Sequence, residues 1–252
     1  MTIFESLIEC KTKKGGGFFL LLDPDRASAN SILKLAEAAG ECDVDALLVG
    51  SSFTLQSNFH RTVKEIKRRS EVPVIIFPGA HSQISPDADA ILFTSLISGR
   101  NPQYLIDEQF RGAPIVKEFG IEPIATGYIL IESGGRTSVE YISNTRPIPS
   151  DKSDIVCAHA LAAQYMGMKL IFLEAGSGAQ NSVPESLIRS LADYIDLPIL
   201  VGGGIKDPQE VERKISAGAS FVVVGNHFEL DNNIDRLKEF TSAAHPNVQV
   251  GV

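Results

Sequence analysis

Eight short apolar runs recur along the chain, at 18–22, 46–49, 74–77, 90–93, 124–131, 170–173, 199–201 and 221–224. Each is nearly continuous in apolar residues instead of alternating with polar ones, the pattern of parallel strands buried on both faces. Stretches with helical spacing fill most of the gaps, near 29–40, 57–70, 101–119, 152–167, 184–195, 207–217 and 231–243. Pro184 and Pro208 stand where the first turn of a helix tolerates a residue without an N–H. Strand and helix in alternation predict an α/β fold, a (β/α)8 TIM barrel formed by a single domain over residues 1–252. One gap breaks the rhythm. Between Phe77 and Ala90 lie twelve residues, among them Pro78, Gly79 and Pro86. That is too short for a full crossover helix, so the helix between the third and fourth strands is reduced or replaced. The barrel's flank then carries a bare strip where an elongated apolar ligand fits, unless the N-terminal helix covers it.

Composition narrows the field. A length of 252 residues suits one barrel, for which about 250 is typical. The net charge of −8 argues against nucleic acid as a partner. No apolar run reaches the roughly 18 residues of a membrane span. The first ten residues carry acids and no basic stretch, unlike a signal peptide. Cys10, Cys42 and Cys157 are widely spaced and read as reduced thiols in a cytoplasmic protein.

The candidate chemistry lies at the strand ends. The last two runs each lead into a glycine turn, Gly202-Gly203-Gly204-Ile205 and Gly225-Asn226. As seventh and eighth strands of a barrel they form the usual phosphate site, where glycine lets backbone N–H groups approach an anion. An acidic protein that binds phosphate holds it with dipoles or a metal. The sixth strand ends Phe172-Leu173-Glu174-Ala175-Gly176-Ser177-Gly178. A carboxylate there is costly to bury without purpose. Glu174 either takes a proton from a substrate hydroxyl or pairs with a cation such as Lys169. Ser177 and Gly178 offer further donors to the phosphate. The first strand ends Asp23-Pro24-Asp25, hard oxygen ligands suited to Mg²⁺; the competing use is an Asx turn or helix cap. Here Asp25 is the metal candidate and Asp23 the structural one. The Gly50-Ser51-Ser52 turn adds hydroxyls one strand away, or simply caps a helix. In the polar loop after the fifth strand, Arg136 is either a diphosphate contact or a solvated side chain. The five histidines, His60, His81, His159, His227 and His245, show no ligand spacing and read as structural or exposed.

The segments LLDPDR, VGSSF, YILIESGGRTSVEYISNTRPIP, FLEAGSGA, VGGGIK and VVVGNH occur in this order along the chain. Together they resemble the geranylgeranylglyceryl phosphate synthases and the related PcrB-type heptaprenylglyceryl phosphate synthases, in particular the second group with its bacterial members. The resemblance implies transfer of a polyprenyl group, geranylgeranyl foremost and heptaprenyl as the alternative, from its diphosphate to the 3-hydroxyl of sn-glycerol 1-phosphate. It implies Mg²⁺ held by Asp25 and Ser52. It also implies glycerol phosphate on Phe172, Leu173, Glu174, Ala175, Gly176, Ser177 and Gly178 and on the Gly203, Gly204, Gly225 and Asn226 turns, with Glu174 catalytic. A homo-oligomer, dimer or hexamer, and transient membrane contact follow from the same resemblance. The chain departs from the family at Phe172, where tyrosine is usual. Two other readings stand beside it. One is a different phosphate-barrel enzyme, although no strand ends in the lysine that a Schiff-base aldolase requires. The other is a silent barrel that only binds an isoprenoid or phosphate.

Overall fold

The computed structural model describes residues 1–54, 58–225, 228 and 233–248. Eight parallel strands close into a barrel: β1 (Gly17–Leu22), β2 (Ala46–Val49), β3 (Val74–Ile76), β4 (Ala90–Leu96), β5 (Glu122–Leu130), β6 (Leu170–Glu174), β7 (Ile199–Gly202) and β8 (Phe221–Val224). β8 returns to β1 with Phe221 opposite Gly17. The helices are α1 (Ile3–Lys14), α2 (Ala29–Ala38), α3 (Phe59–Arg69), α4 (Glu108–Phe119), α5 (Ser138–Ser143), α6 (Ser153–Tyr165), α7 (Glu185–Ala192), α8 (Pro208–Ser216) and α9 (Ile234–Ala244).

Side-chain alternation along each strand explains why the apolar runs are unbroken. Phe19, Leu48, Ile75, Leu92, Phe172 and Leu200 fill the barrel interior, while their neighbours Phe18, Leu47, Ile76, Ile91, Leu173 and Val201 pack against the helices. Counting apolar residues places β4 and β6 too short. Thr94 and Ser95 stay in the ladder opposite Thr126 and Gly127, and Glu174 stays opposite Leu130.

The N-terminal helix plugs the bottom of the barrel and does not cover the flank. Leu7 is buried with the interior cluster, and Ile3, Phe4 and Ile8 pack on it. Thr2 and Glu5 form a capping box at the start of α1. The Glu122 carboxylate accepts the orphan N–H groups of Ile3 and Phe4 at 2.5 and 3.2 Å. Between β3 and β4 a single 3₁₀ turn, His81–Gln83, replaces the crossover helix, as the short spacing predicts. A π-helical turn, Gln103–Asp107, leads into α4, and the polar loop after β5 folds into the short α5 behind the N-cap Thr137.

A buried polar knot ties the chain's two ends to the barrel floor. Asp45 Oδ2 accepts from the Phe18 N–H at 2.7 Å and faces His245 Nε2 at 2.7 Å. Its Oδ1 accepts from Lys14 Nζ at 2.7 Å and from Cys10 Sγ at 2.9 Å. Asp43 completes the knot through Lys14 and His245 Nδ1. Burial pushes the Asp45 carboxyl up, but the bonds from His245, Cys10 and Lys14 outweigh it and leave the carboxyl below its ordinary value. A depressed carboxyl contributes stability above its unfolded-state pKa, and that stability is lost as pH falls through the folded-state value. Asp45→Asn should therefore cost about 3–5 kcal/mol near neutral pH, because it removes the buried carboxylate that faces the Lys14 ammonium and the Phe18, Cys10 and His245 groups. The deficit should shrink in acid. Urea unfolding of both proteins at neutral and acidic pH checks this, and an equal loss at both would sink the argument.

Candidate active site

Glu174 closes β6 on the barrel axis. Its side chain is buried, and Oε1 accepts the Gly176 N–H at 2.6 Å. Burial raises the carboxyl to about 7, with the Gly176 bond pulling modestly the other way. Lys169 is not its partner: that ammonium lies 5.9 Å above the Phe4 ring, beside the α1 plug. Alternation along β6 also sorts its neighbours. Phe172 and Glu174 face the cavity, whereas Leu173 and Ala175 point into the layer between barrel and helices.

The glycines around Glu174 are there for space and for backbone conformation. Gly203 and Gly204 have φ of +82° and +72°, and Gly176 and Gly178 have +98° and +75°, values that side chains rarely adopt. A Cβ on Gly203 would run into Glu174 Oε1 and would lie 2.6 Å from the Gly176 nitrogen. Gly225 also lines the cavity. Asn226, the other residue expected in that turn, lies outside the described residues, as does His227.

Across the cavity, Asp25, Ser51 and Ser52 border the same space. Asp23 Oδ1 accepts the Asp25 N–H at 2.9 Å, an Asx turn that holds the loop. Among the described residues no three His, Cys, Asp or Glu side chains converge as a self-sufficient metal cage. Asp25 and Ser52 nevertheless fit a cation that takes one or two protein oxygens and completes its shell with phosphate oxygens and water. Arg136 is exposed and does not border the cavity.

Several contributors carry little or no sequence signal. Tyr128 sits opposite Phe172 on β5, with ring centroids 5.2 Å apart. Phe77 completes the cluster at 5.2 Å from Phe172 and 5.9 Å from Tyr128. Burial, with Glu174 nearby, raises the Tyr128 phenol well above its ordinary value, so it stays a neutral hydroxyl beside the cavity. Gln83, also buried, binds the Ser51 carbonyl at 2.9 Å and the Gly79 N–H at 3.1 Å and so fixes the serine turn. α5 supplies Val139 and Ile142 to the cavity wall. Its Thr137-x-x-Glu140 start is a legible capping pattern.

Asp25, Ser51, Ser52, Phe77, Tyr128 and Glu174 surround one cavity of about 630 Å³, in the range of small-molecule clefts. One end is polar and glycine-lined, around Glu174, Ser177, Gly178 and Gly203. The other runs down the flank past Phe77, Ile84, Ile91, Phe93 and Gly112, along the strip where the crossover helix is missing. A glycine-lined polar end and an apolar groove therefore meet at one buried carboxylic acid.

Residues 9–244 match the PcrB family. A geranylgeranylglyceryl phosphate synthase of Chitinophaga pinensis is 42% identical over 243 residues, 96% of each chain. The synthase of Pyrococcus horikoshii is 41% identical over 247 residues, 98% of this chain and 96% of its own. Among solved structures, the (S)-3-O-geranylgeranylglyceryl phosphate synthase of Thermoplasma acidophilum in complex with sn-glycerol-1-phosphate superposes with a TM-score of 0.92. It is 32% identical, with 98% of this chain and 99% of that chain covered. With this fold and these glycine turns in register, the chain belongs to the PcrB family.

Proposed function

We propose that the protein is a prenyltransferase that joins the geranylgeranyl group of its diphosphate to the 3-hydroxyl of sn-glycerol 1-phosphate. The observation that carries this is the single cavity in which a glycine-lined anion site and an apolar flank groove meet at Glu174. Three relatives bearing the synthase name support the acceptor and the donor.

Glycerol phosphate sits on the turns at Ser177-Gly178, Gly203-Gly204 and Gly225, where backbone N–H groups meet its charge without a basic cluster. Its 3-hydroxyl lies toward Glu174. The donor's diphosphate faces Asp25 and Ser52, which would hold Mg²⁺; when bound, that ion supplies positive charge to the leaving diphosphate. The allylic C1–O bond to diphosphate breaks, the ether bond from the glycerol oxygen to C1 forms, and the hydroxyl proton passes to Glu174. A carboxyl with a pKa of about 7 is a better proton acceptor than an ordinary glutamate and is still half ionised at neutral pH. Tyr128 offers a neutral hydroxyl donor from the adjacent strand, next to the phenylalanine that replaces the family's tyrosine. Self-association as a dimer or hexamer completes the proposal. Exposed Ile106 and Phe110, one turn apart, supply apolar surface for it.

Three experiments test this reading. Glu174→Gln keeps the shape and an acceptor for the Gly176 N–H, so substrate binding should survive while kcat falls about 10²–10⁴-fold. The wild-type kcat should rise with pH through about 7. A carboxyl whose pKa is raised by folding costs stability as pH climbs from its unfolded value to its folded one, so Glu174→Gln should also melt higher than wild type in mild alkali. Unchanged single-turnover rates in the variant would place the base elsewhere.

Gly203→Ala puts a methyl group against Glu174 and the Gly176 N–H. Loss of one backbone bond to a charged phosphate, about 1.5–3 kcal/mol, should raise KM for glycerol 1-phosphate by roughly ten- to a hundredfold. A folded variant with wild-type KM would remove this turn from the site.

Chelation should abolish transfer and Mg²⁺ should restore it. Asp25→Asn should demand far more Mg²⁺ and weaken the prenyl diphosphate, leaving glycerol 1-phosphate affinity nearly intact. Turnover by the wild-type protein in excess EDTA would contradict the metal assignment.

A further inference from the structure

The connection after β3 folds back onto the turn after β2. A Cβ on Gly50 would run into the Phe77 carbonyl, and one on Gly79 into the Ser51 carbonyl, so the two turns meet backbone to backbone because both positions are glycine. Gln83 closes this seam. It is 2% exposed, and its carboxamide makes four hydrogen bonds. Oε1 accepts the Gly79 N–H at 3.1 Å and the Ser51 N–H at 3.4 Å. Nε2 donates to the Ser51 carbonyl at 2.9 Å and to the Thr54 hydroxyl at 2.5 Å. Turning the amide over would set its NH₂ against two N–H groups and its oxygen against a carbonyl, so its orientation is fixed. The Ser51 side chain in turn hydrogen-bonds the Asp23 carboxyl, whose Oδ1 holds the Asp25 N–H.

The 3₁₀ turn that carries Gln83 is anchored from α4, the other bank of the groove. Glu108 Oε2 accepts the backbone N–H of His81 at 2.7 Å and faces its ring Nδ1 at 2.8 Å. Position 112 is glycine, where a Cβ would come within 2.8 Å of Ile84 Cδ1. Gln83 therefore acts on the serine turn from a fixed base. The consequence lies in the Ser51–Ser52 peptide. That bond is trans, so its C=O and N–H point in opposite directions. The carbonyl is drawn onto Gln83, which does not border the cavity, whereas Ser52 does. The Ser52 N–H points away from Gln83, and among the described residues it has no acceptor. Flipping the peptide would turn a carbonyl oxygen toward the space given to the donor's diphosphate, where it would repel the anion.

We propose that Gln83 is a positioning residue for the donor: it locks the Ser51–Ser52 peptide so that the Ser52 N–H is presented to a diphosphate oxygen and the Ser51 carbonyl is kept away from it. The Ser52 backbone then binds the diphosphate separately from the hydroxyl assigned to Mg²⁺. An N–H bond to a phosphate oxygen is charge-assisted, and in a protein of net charge −8 such neutral donors meet an anion without a basic cluster. This deepens the prenyltransferase reading and rests on it.

The test follows the Ser52 amide by NMR in isotope-labelled wild-type protein while inorganic diphosphate is added with Mg²⁺. Its proton should move downfield, and sn-glycerol 1-phosphate alone should leave it in place. Gln83→Met keeps the volume of the side chain but lacks its four bonds. It should weaken calorimetric binding of diphosphate with Mg²⁺ roughly ten- to a hundredfold. KM for geranylgeranyl diphosphate should rise alike, and KM for glycerol 1-phosphate should stay unchanged. An unmoved Ser52 amide in wild-type protein that binds diphosphate overturns the proposal. So does undiminished diphosphate affinity in folded Gln83→Met, or an equal loss for both substrates, which marks a merely structural tie. If Gln83→Met does not fold, the wild-type amide shift decides. Prenyl transfer by a wild-type protein that does not bind diphosphate sinks this assignment alone. Absence of transfer by the wild-type protein overturns the prenyltransferase reading itself, and the role of Gln83 with it.

Discussion

The contact on which the site depends is the one between the Glu174 carboxylate and the glycine backbone around it. An acid buried at the end of a barrel strand has two ways to become tolerable: a cation beside it, or protonation near neutral pH. Here burial and the Gly176 N–H set its ionisation, and Lys169, the cation the sequence offered it, lies over the Phe4 ring beside α1. A lysine partner would hold Glu174 ionised and weakly basic. Its absence leaves a carboxyl that exchanges its proton near neutral pH. The same contact dictates residue size on the neighbouring strands. Cβ atoms at 202 and 203 would both meet its oxygens, so glycine at these two positions makes room for the carboxylate.

The glycine turns and the groove place different demands on the fold. The turns after β6 and β7 need backbone in rare conformations, held by strands that bury every side chain. The groove needs the opposite, a seam with something missing. β3 and β4 share only the registers Ile75–Ala90 and Ile76–Ile91, whereas β4 and β5 run in register from Ala90–Glu122 to Leu96–Tyr128. The ladder is therefore shortest where the crossover helix is absent and longest immediately beside it. Deleting a helix exposes the outer faces of Ile91 and Phe93 to the cavity. That exposure is tolerable in a stable domain when an apolar ligand covers it.

The barrel, its glycine turns and the strand-end acids were legible because each leaves a local mark: an unbroken apolar run, a glycine cluster, a lone carboxylate after Leu173. The reduced connection after Phe77 was legible from spacing alone. Residues whose role comes from neighbours distant in sequence were not. Tyr128 looks like any strand residue until register sets it opposite Phe172. Gln83 meets Ser51 across 32 positions, and His81 meets Glu108 across 27. His81, read from sequence as structural or exposed, lines the cavity. Alternation would have separated Phe172 and Glu174 from Leu173 and Ala175, whereas a contiguous motif groups them together.

The π turn shows how such distant contacts arise. Widening the helix at Gln103–Asp107 leaves backbone carbonyls without their usual partners, and side chains from elsewhere take them up. Ser95 of β4 donates to the Leu105 carbonyl at 2.7 Å, and Gln109 donates to those of Tyr104, at 3.1 Å, and Thr94. These bonds pin the wide turn to β4, the strand whose outer face forms the groove. With its start fixed there, α4 presents Glu108 to the 3₁₀ turn and Gly112 to Ile84. The groove's far bank is thus positioned by β4 itself, which carries at once the barrel's longest ladder and the floor on which an apolar tail would lie.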